Sequence, residues 1–179
     1  MIEEILAYNK NFVATKKYES YITNKFPNKK IVILTCMDAR LIELLPDALG
    51  LKNGDAKIIK NAGGVIDHPY GNVIKSLLIS ILELEVEKIM VIGHTDCGVQ
   101  GMDGEEMLNK LILRGISKEY IETIKNKEIQ MKEWLRGFSS VYESVFETVE
   151  CLKSHPLIPK DINIYGFVMD SVTGELRPI

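Results

Sequence analysis

The chain has 179 residues, 46% of them hydrophobic, and a formal net charge of −3 at pH 7. This length is typical of a single domain that buries its own core, and we predict one domain over residues 1–179. The small negative charge and scattered lysines exclude the basic field that nucleic-acid binding requires, and no apolar run is long enough to span a membrane. The odd count of three cysteines, in a chain without an export signal, argues against a disulfide framework and favours a cytoplasmic location.

Hydrophobic spacing predicts alternating helices and strands in the first half of the chain. In chain order these are a short amphipathic N-terminal helix, a strand over 31–35, a helix over 41–49 that ends at Gly50, a strand over 56–60, a helix over 70–85 and a strand over 88–92. Short apolar strands separated by helices are typical of a parallel sheet that helices cover on both faces. We therefore predict an α/β fold with three layers, α/β/α.

The second half of the chain has more helical character. Helices are predicted over 105–113, 117–136 and 139–153, followed by a break at 154–159, a strand over 162–168 and a turn at 172–176 that leads into a final short strand. We find no internal repeat and no linker of the kind that separates domains.

Two short motifs lie where predicted strands end. Cys36-Met37-Asp38-Ala39-Arg40 follows the first strand, and His94-Thr95-Asp96-Cys97 follows the third. Because ligands of open parallel sheets bind beyond the carboxyl ends of the strands, we expect the two motifs to meet. If the backbone stays extended after the first strand, the side chains of Cys36, Asp38 and Arg40 face one crevice.

The residue types in these motifs indicate a zinc site. Two thiolates and one imidazole, here Cys36, Cys97 and His94, are good zinc ligands and leave one tetrahedral position open, as in catalytic sites. Zinc lowers the pKa of a bound water to about 7 and so supplies hydroxide for attack on an electrophilic carbon. Asp38 can orient that hydroxide, and Arg40 can hold Asp38 through a two-pronged ion pair. We predict one zinc ion per chain.

The same motifs resemble those of the β-class carbonic anhydrases, especially the compact prokaryotic type. Cys-x-Asp-x-Arg and His-x-x-Cys carry the resemblance. Asn61-Ala62-Gly63-Gly64 is similar to the active-site loop of that family, Gly93–Gly98 to its zinc loop, and Tyr165-Gly166-Phe167-Val168 with Thr173-Gly174 to its tail. The resemblance covers most of the chain and is weakest over 98–136.

The resemblance implies an enzyme that catalyses the reversible hydration of carbon dioxide to bicarbonate and a proton by zinc-bound hydroxide. It implies the following site residues: Cys36, His94 and Cys97 as zinc ligands, and Asp38 and Arg40 as the catalytic pair. It also implies a Rossmann-like sheet, and a homodimer or higher homo-oligomer with sites near a subunit interface.

Two finer expectations come from the same resemblance. In some family members the aspartate itself binds zinc and displaces water, so Asp38 is a candidate fourth ligand in a closed state. The loop residues Ala62, Gly63 and Gly64 are expected to line the substrate pocket. The two glycines are interpreted as allowing a tight backbone path rather than as binding phosphate.

Several alternatives stay open at the level of sequence. The same scaffold could hydrolyse carbonyl sulfide or carbon disulfide, or could form a non-catalytic module that binds zinc or bicarbonate. A redox pair of Cys36 and Cys97 is disfavoured because there is no Cys-x-x-Cys motif. Outside the motifs, His68 is a candidate proton relay or an exposed turn residue, while Cys151 and Trp134 are interpreted as packing residues.

Overall fold

The carboxyl ends of parallel strands create one edge of the sheet at which both motifs lie. The computed structural model describes residues 1–125 and 130–179, and its strand order is β2-β1-β3-β4-β5. The strands are β1 (Ile31–Cys36), β2 (Ala56–Asn61), β3 (Lys88–His94), β4 (Asn163–Met169) and β5 (Leu176–Pro178). The first four pair in parallel, and β5 pairs antiparallel to β4. The predicted mainly parallel, Rossmann-like sheet is confirmed.

One helix precedes β1, and the others lie between the parallel strands β1, β2, β3 and β4 along the chain. They are α1 (Ile2–Ala14), α2 (Leu44–Ala48), α3 (Asn72–Leu82), α4 (Gly104–Leu113), α5 (Lys118–Lys125), α6 (Met131–Leu135) and α7 (Val141–Ser154). Short 3-10 turns are formed by Lys17–Tyr21, Ala39–Leu41 and Ala62–Gly64. None of these helices, in the part of the chain that the structure describes, has the length and apolar character needed to cross a membrane.

The predicted helix over 41–49 is wrong as a single element. The structure has the 3-10 turn Ala39–Leu41 and then α2, which is only 5 residues long. The reason is Pro46, which lacks an N–H donor and disfavours helical backbone in the residue before it, so a regular helix tolerates it only in the first turn. Gly50 ends the segment as predicted, with a φ of +61°.

Two further helices differ from the prediction in extent. The helix predicted over 70–85 is α3, which is shorter at both ends because Gly71 is extended and Glu85 has a φ of +57°. The helix predicted over 117–136 is interrupted: its described parts are α5 and α6, with non-helical backbone at Gln130. Residues 126–129 of that prediction lie outside the described residues.

Alternating strand side chains enter two cores, one on each face of the sheet. On one face, Val32 of β1 and Val91 of β3 pack with apolar residues of α3 and α7. On the other face, Ile33 of β1 packs with Leu41 and Leu45 from the segment around α2. Helical layers therefore cover both faces, as the three-layer prediction requires.

A small helical unit built from α4, α5 and α6 has its own core. Leu108, Ile121 and Met131 form the centre of that core. The unit joins the rest of the protein where Gly101 N–H donates to Phe138 O at 2.9 Å and Gly137 N–H donates to Met102 O at 3.0 Å. These paired backbone bonds place one wall of the cavity described below.

Candidate metal centre

Adjacent parallel strands bring the candidate ligands together. Cys36 is the last residue of β1, and His94 is the last residue of β3. These strands pair in register, with Thr35 opposite Ile92. Cys97 lies in the turn after β3, and the left-handed backbone of Asp96, with a φ of +53°, directs that turn back toward the sheet. The meeting of the two motifs follows from the topology, as expected.

The three side chains fit a tetrahedral zinc ion. Cys36, His94 and Cys97 are all buried, and their ligand atoms lie within 4.8 Å of one another. Two sulfurs bound to one tetrahedral zinc ion at about 2.3 Å lie about 3.8 Å apart, and Cys36 Sγ is 3.8 Å from Cys97 Sγ. The site could hold a metal ion without rearrangement of the thiols.

His94 completes this set because one of its ring nitrogens already forms a hydrogen bond, which leaves the other to bind a metal. Nδ1 lies 2.9 Å from the Thr95 carbonyl oxygen, and it can only donate to that acceptor. Nε2 then carries the lone pair, and it is the one buried side-chain nitrogen or oxygen without a hydrogen-bond partner in residues 1–125 and 130–179. An orphaned buried acceptor is costly unless a ligand satisfies it. A redox pair of cysteines would leave this nitrogen unexplained.

The two thiols have opposite pKa shifts without a metal. Burial disfavours the Cys36 thiolate, but hydrogen bonds from the His94 ring in its protonated form and from the backbone N–H groups of Gly63 and Asp38 outweigh it and lower the pKa of Cys36 to about 7. Burial raises the pKa of Cys97. Because the thiolate is the form that binds metal, Cys36 is the thiol that deprotonates more readily for this role.

Asp38 and Arg40 form a two-pronged ion pair, but not through the extended backbone that we predicted. Asp38 caps the turn Ala39–Leu41 by accepting a hydrogen bond from the Arg40 backbone N–H at 2.9 Å. The Arg40 side chain folds back, so that Nε donates to Asp38 Oδ1 at 3.0 Å and Nη2 donates to Oδ2 at 2.9 Å. These hydrogen bonds from Arg40 lower the pKa of Asp38 to about 2.

Arg40 also contacts a second acidic residue, Asp96, which sequence reasoning missed. Nη1 donates to Asp96 Oδ2 and Nη2 donates to the Asp96 carbonyl oxygen, both at 2.8 Å. Arg40 thereby joins the two loops that carry the candidate ligands. Asp38 lies close to the centre, with Oδ2 at 3.9 Å from His94 Nε2, while its carboxylate is held by Arg40. The closed state with Asp38 as a fourth ligand stays a prediction.

A cavity of about 1010 Å³ opens onto Cys36 and Asp38. Its walls are largely apolar and include Val65, Ile66, Met102, Leu135 and Phe138. Such a lining suits a small uncharged substrate better than a charged one. Two of these residues, Met102 and Leu135, belong to the segment over 98–136, for which the sequence predicted no role.

Other residues singled out in the sequence have varied positions around this cavity. Ala62 lines the cavity, whereas Gly63 and Gly64 are buried and are not among its lining residues in the described chain. His68 is exposed, also outside that lining, and its Nδ1 accepts the Tyr70 N–H at 3.0 Å. The interpretation of Trp134 and Cys151 as packing residues is wrong. Trp134 is 61% exposed and Cys151 is half-buried, and both line the cavity.

His155 fixes the loop that follows the two glycines, a role that its sequence position at the end of α7 did not suggest. Its Nδ1 accepts the Leu157 N–H at 3.2 Å, so Nε2 carries the proton and donates to the Pro69 carbonyl oxygen at 2.6 Å. His155 is 4% exposed. His155 thus attaches the loop after the Gly-Gly pair to the carboxyl end of α7.

The backbone at position 64, beside Cys36, leaves room only for glycine. Replacing Gly64 tests how tightly its loop packs against β1. It has a φ of +68°, and an added Cβ would lie 2.9 Å from the Thr35 carbonyl carbon and 3.0 Å from the Cys36 nitrogen. We expect Gly64→Ala to lower the free energy of unfolding by about 3 kcal/mol or more, since left-handed strain and a backbone clash add. Thermal unfolding measures this loss, because each kcal/mol lowers the Tm of a chain of this size by about 2–4 °C.

Gly50→Ala is the matched control for that prediction. Gly50 has a φ of +61° but no atom within 4 Å of an added Cβ, so only the left-handed strain of about 1–2 kcal/mol applies. Equal losses in the two variants would contradict the close approach of Gly64 to β1.

Comparisons with known proteins agree with one another. The sequence profile of the family described as carbonic anhydrase matches residues 31–176. The Bacillus subtilis protein YvdA, named provisionally as a carbonic anhydrase, is 47% identical over 98% of this chain and 89% of its own length. A carbon disulfide hydrolase of Acidithiobacillus thiooxidans is 31% identical over 84% of this chain and 77% of its own. The crystal structure of β-carbonic anhydrase isoform I of Trichomonas vaginalis has a TM-score of 0.90 and 34% identity, covering 100% of this chain and 97% of that one.

Proposed function

The chain belongs to the β-class carbonic anhydrases, and on that premise we propose that it catalyses the zinc-dependent, reversible hydration of carbon dioxide to bicarbonate and a proton. The observation that carries the proposal is the combination of a three-ligand metal set with an ion-paired carboxylate beside it. Mere metal storage requires Cys36, His94 and Cys97 but gives no reason for the Asp38–Arg40 pair.

The chemistry divides between the metal and the chain. A zinc ion on Cys36, His94 and Cys97, when bound, lowers the pKa of a coordinated water to about 7. Asp38 stays ionised because Arg40 holds it, and its carboxylate can only accept hydrogen bonds at neutral pH. It therefore selects a ligand that carries a proton and orients the remaining lone pair toward the substrate. The apolar walls admit carbon dioxide without a charge to desolvate.

The second candidate reaction is hydrolysis of carbon disulfide or carbonyl sulfide. It has support from the carbon disulfide hydrolase relative at 31% identity, whereas the 47% identical relative carries a carbonic anhydrase name. Initial rates with carbon dioxide and carbon disulfide on the same zinc-loaded preparation separate the two. Faster turnover of carbon disulfide would favour the sulfur compound as the substrate. Zinc binding without turnover of either compound would favour the non-catalytic module.

We also propose that the protein is a homodimer or a higher homo-oligomer. No residue of α1 is buried, and Ile2, Ile5 and Leu6 on one side of it are 64%, 58% and 56% exposed. A helix of 13 residues is marginal in water unless its apolar face is covered. Strand β2 also lies at the sheet edge. A second copy of the chain covers such features in a symmetric oligomer. A cytoplasmic location stays a prediction from the sequence.

We expect charges on the apolar face of α1 to prevent this association. In Ile5→Glu/Leu6→Glu the helix can no longer pack against an apolar partner surface, so the protein should elute as a monomer at micromolar concentration. Light scattering after size-exclusion chromatography gives the mass. Asn11→Glu, on the opposite face of α1, is the matched control and should retain the oligomer. A monomeric wild-type protein would contradict the proposal.

A further inference from the structure

One side of α7 presents side-chain hydroxyl groups to the metal cavity. Ser144, Thr148 and Cys151 recur at helical spacing and line this cavity together with Glu147. Ser144 is 7% exposed and Thr148 is 5% exposed. Neither hydroxyl oxygen is among the fully buried, unpartnered atoms of residues 1–125 and 130–179. Both residues line the cavity wall, where their hydroxyl groups can bind water inside the cavity.

Packing of its valine side fixes α7 over the metal-binding end of β3. An added Cβ on Gly93, the neighbour of His94, would lie 2.7 Å from side-chain carbons of both Val141 and Val145. Val149 of the same helix belongs to the core on that face of the sheet. The position of the hydroxyl groups relative to the metal centre is therefore set by the core and not by a loop.

A second cavity, of about 450 Å³, adjoins the first at the amino-terminal half of α7. Its lining includes the polar residues Asp103, Ser140 and Glu143, and it shares Ser144 and Glu147 with the metal cavity. Glu147 is exposed. This carboxylate thus lies where the water-accessible interior meets a polar cleft, in reach of both cavity water and external buffer.

We infer that Glu147, with the Ser144 and Thr148 hydroxyl groups, forms the path by which the proton released in hydration leaves the metal cavity. The inference rests on the proposed function. Carbon dioxide and water give bicarbonate and one proton in each turnover. Water held by the two hydroxyls carries that proton to the Glu147 carboxylate, which passes it to a buffer base and is ionised again. No electron transfer is involved, and the relay carboxylate is regenerated.

The geometry favours this residue over the other titratable candidates near the cavity. His68, the relay candidate from the sequence, does not line the cavity in the described chain. Asp67 lines the metal cavity but not the adjoining polar cleft. Glu147 alone among these three residues borders both cavities, and Ser144 and Thr148 belong to its own helix.

Buffer dependence of Glu147→Gln tests the relay. In dilute buffer we expect kcat for carbon dioxide hydration to fall about 10-fold or more, because a positioned proton acceptor is lost. The value of kcat/KM should stay near that of the wild type, since it reports the step before proton release. High concentrations of imidazole buffer should restore kcat by accepting the proton directly. Ser144→Ala/Thr148→Val should show the same pattern.

Glu150→Gln is the matched control, since Glu150 lies on α7 but pairs with Lys153 at 2.9 Å and lines neither cavity. Wild-type kcat for Glu147→Gln in dilute buffer, or a buffer-rescued defect in Asp67→Asn instead, would overturn the relay. A crystal structure of the zinc-loaded protein gives an independent readout: ordered water bridging Ser144 and Thr148 toward Glu147 supports the path, and a dry cavity wall contradicts it. Absence of hydration in the wild type at any buffer concentration would instead refute the proposed function.

Discussion

Cys97→Ser is expected to weaken zinc binding by at least about 100-fold, a loss larger than that from removing groups that merely support the ligands. Serine keeps the size of the side chain, but its hydroxyl stays protonated at neutral pH and is a poor zinc ligand. The remaining thiolate and imidazole hold only two of the four tetrahedral positions. Zinc per chain after dialysis, and the concentration of chelator that removes half of it, measure the effect.

Cys151→Ser is the control for this variant, because it removes a half-buried cysteine that lies in the cavity wall but outside the three-ligand set. It should retain one zinc ion per chain with wild-type resistance to chelator. Stoichiometric, tightly held zinc in Cys97→Ser would contradict the ligand assignment. Loss of zinc in Cys151→Ser as well would indicate that the metal depends on the wider cavity.

Asp38→Ala is expected to retain zinc and to lose about 100-fold or more in turnover, in the range for removal of a positioned catalytic group. The three metal ligands are untouched. Arg40 keeps both of its contacts to Asp96, at 2.8 Å each, so the two loops stay joined. Only the acceptor that orients the nucleophile is removed. Stopped-flow hydration rates on protein of known zinc content measure the loss.

Asp38→Asn sharpens this test because it keeps the shape of the side chain and one acceptor oxygen but removes the charge. We expect it to be nearly as impaired as the alanine variant, since an amide can donate a hydrogen bond where the carboxylate can only accept. Full activity of either zinc-loaded variant would remove Asp38 from the mechanism.

The sequence was most informative where local pattern and topology coincide. Cys36 and His94 each end an apolar run, and apolar runs of that length become adjacent parallel strands, so the meeting of the two motifs was predictable. The path of the chain after β1 was not. Capping by Asp38 produces a 3-10 turn where extended backbone was predicted, and Pro46 limits the helix that follows to a short one.

The residues that the sequence failed to identify act through contacts between distant segments. Asp96 meets Arg40 across 56 positions of the chain, and nothing in its neighbourhood marks that partner. Ser144 and Thr148 look like ordinary helix residues, and only the cavity beside α7 makes their hydroxyls notable. Trp134 illustrates the reverse error. A lone tryptophan in a sequence suggests a core residue, but Trp134 lies at the cavity and is 61% exposed.

Stopped-flow carbon dioxide hydration by protein of measured zinc content, from about pH 6 to about pH 9, tests the central claim most directly because this range brackets the pKa of about 7 expected for a zinc-activated water. We predict hydration that requires about one zinc ion per chain, is abolished by chelator and returns when zinc is added back. Protein that binds one zinc ion per chain but hydrates carbon dioxide no faster than the buffer, at every pH, would contradict the account.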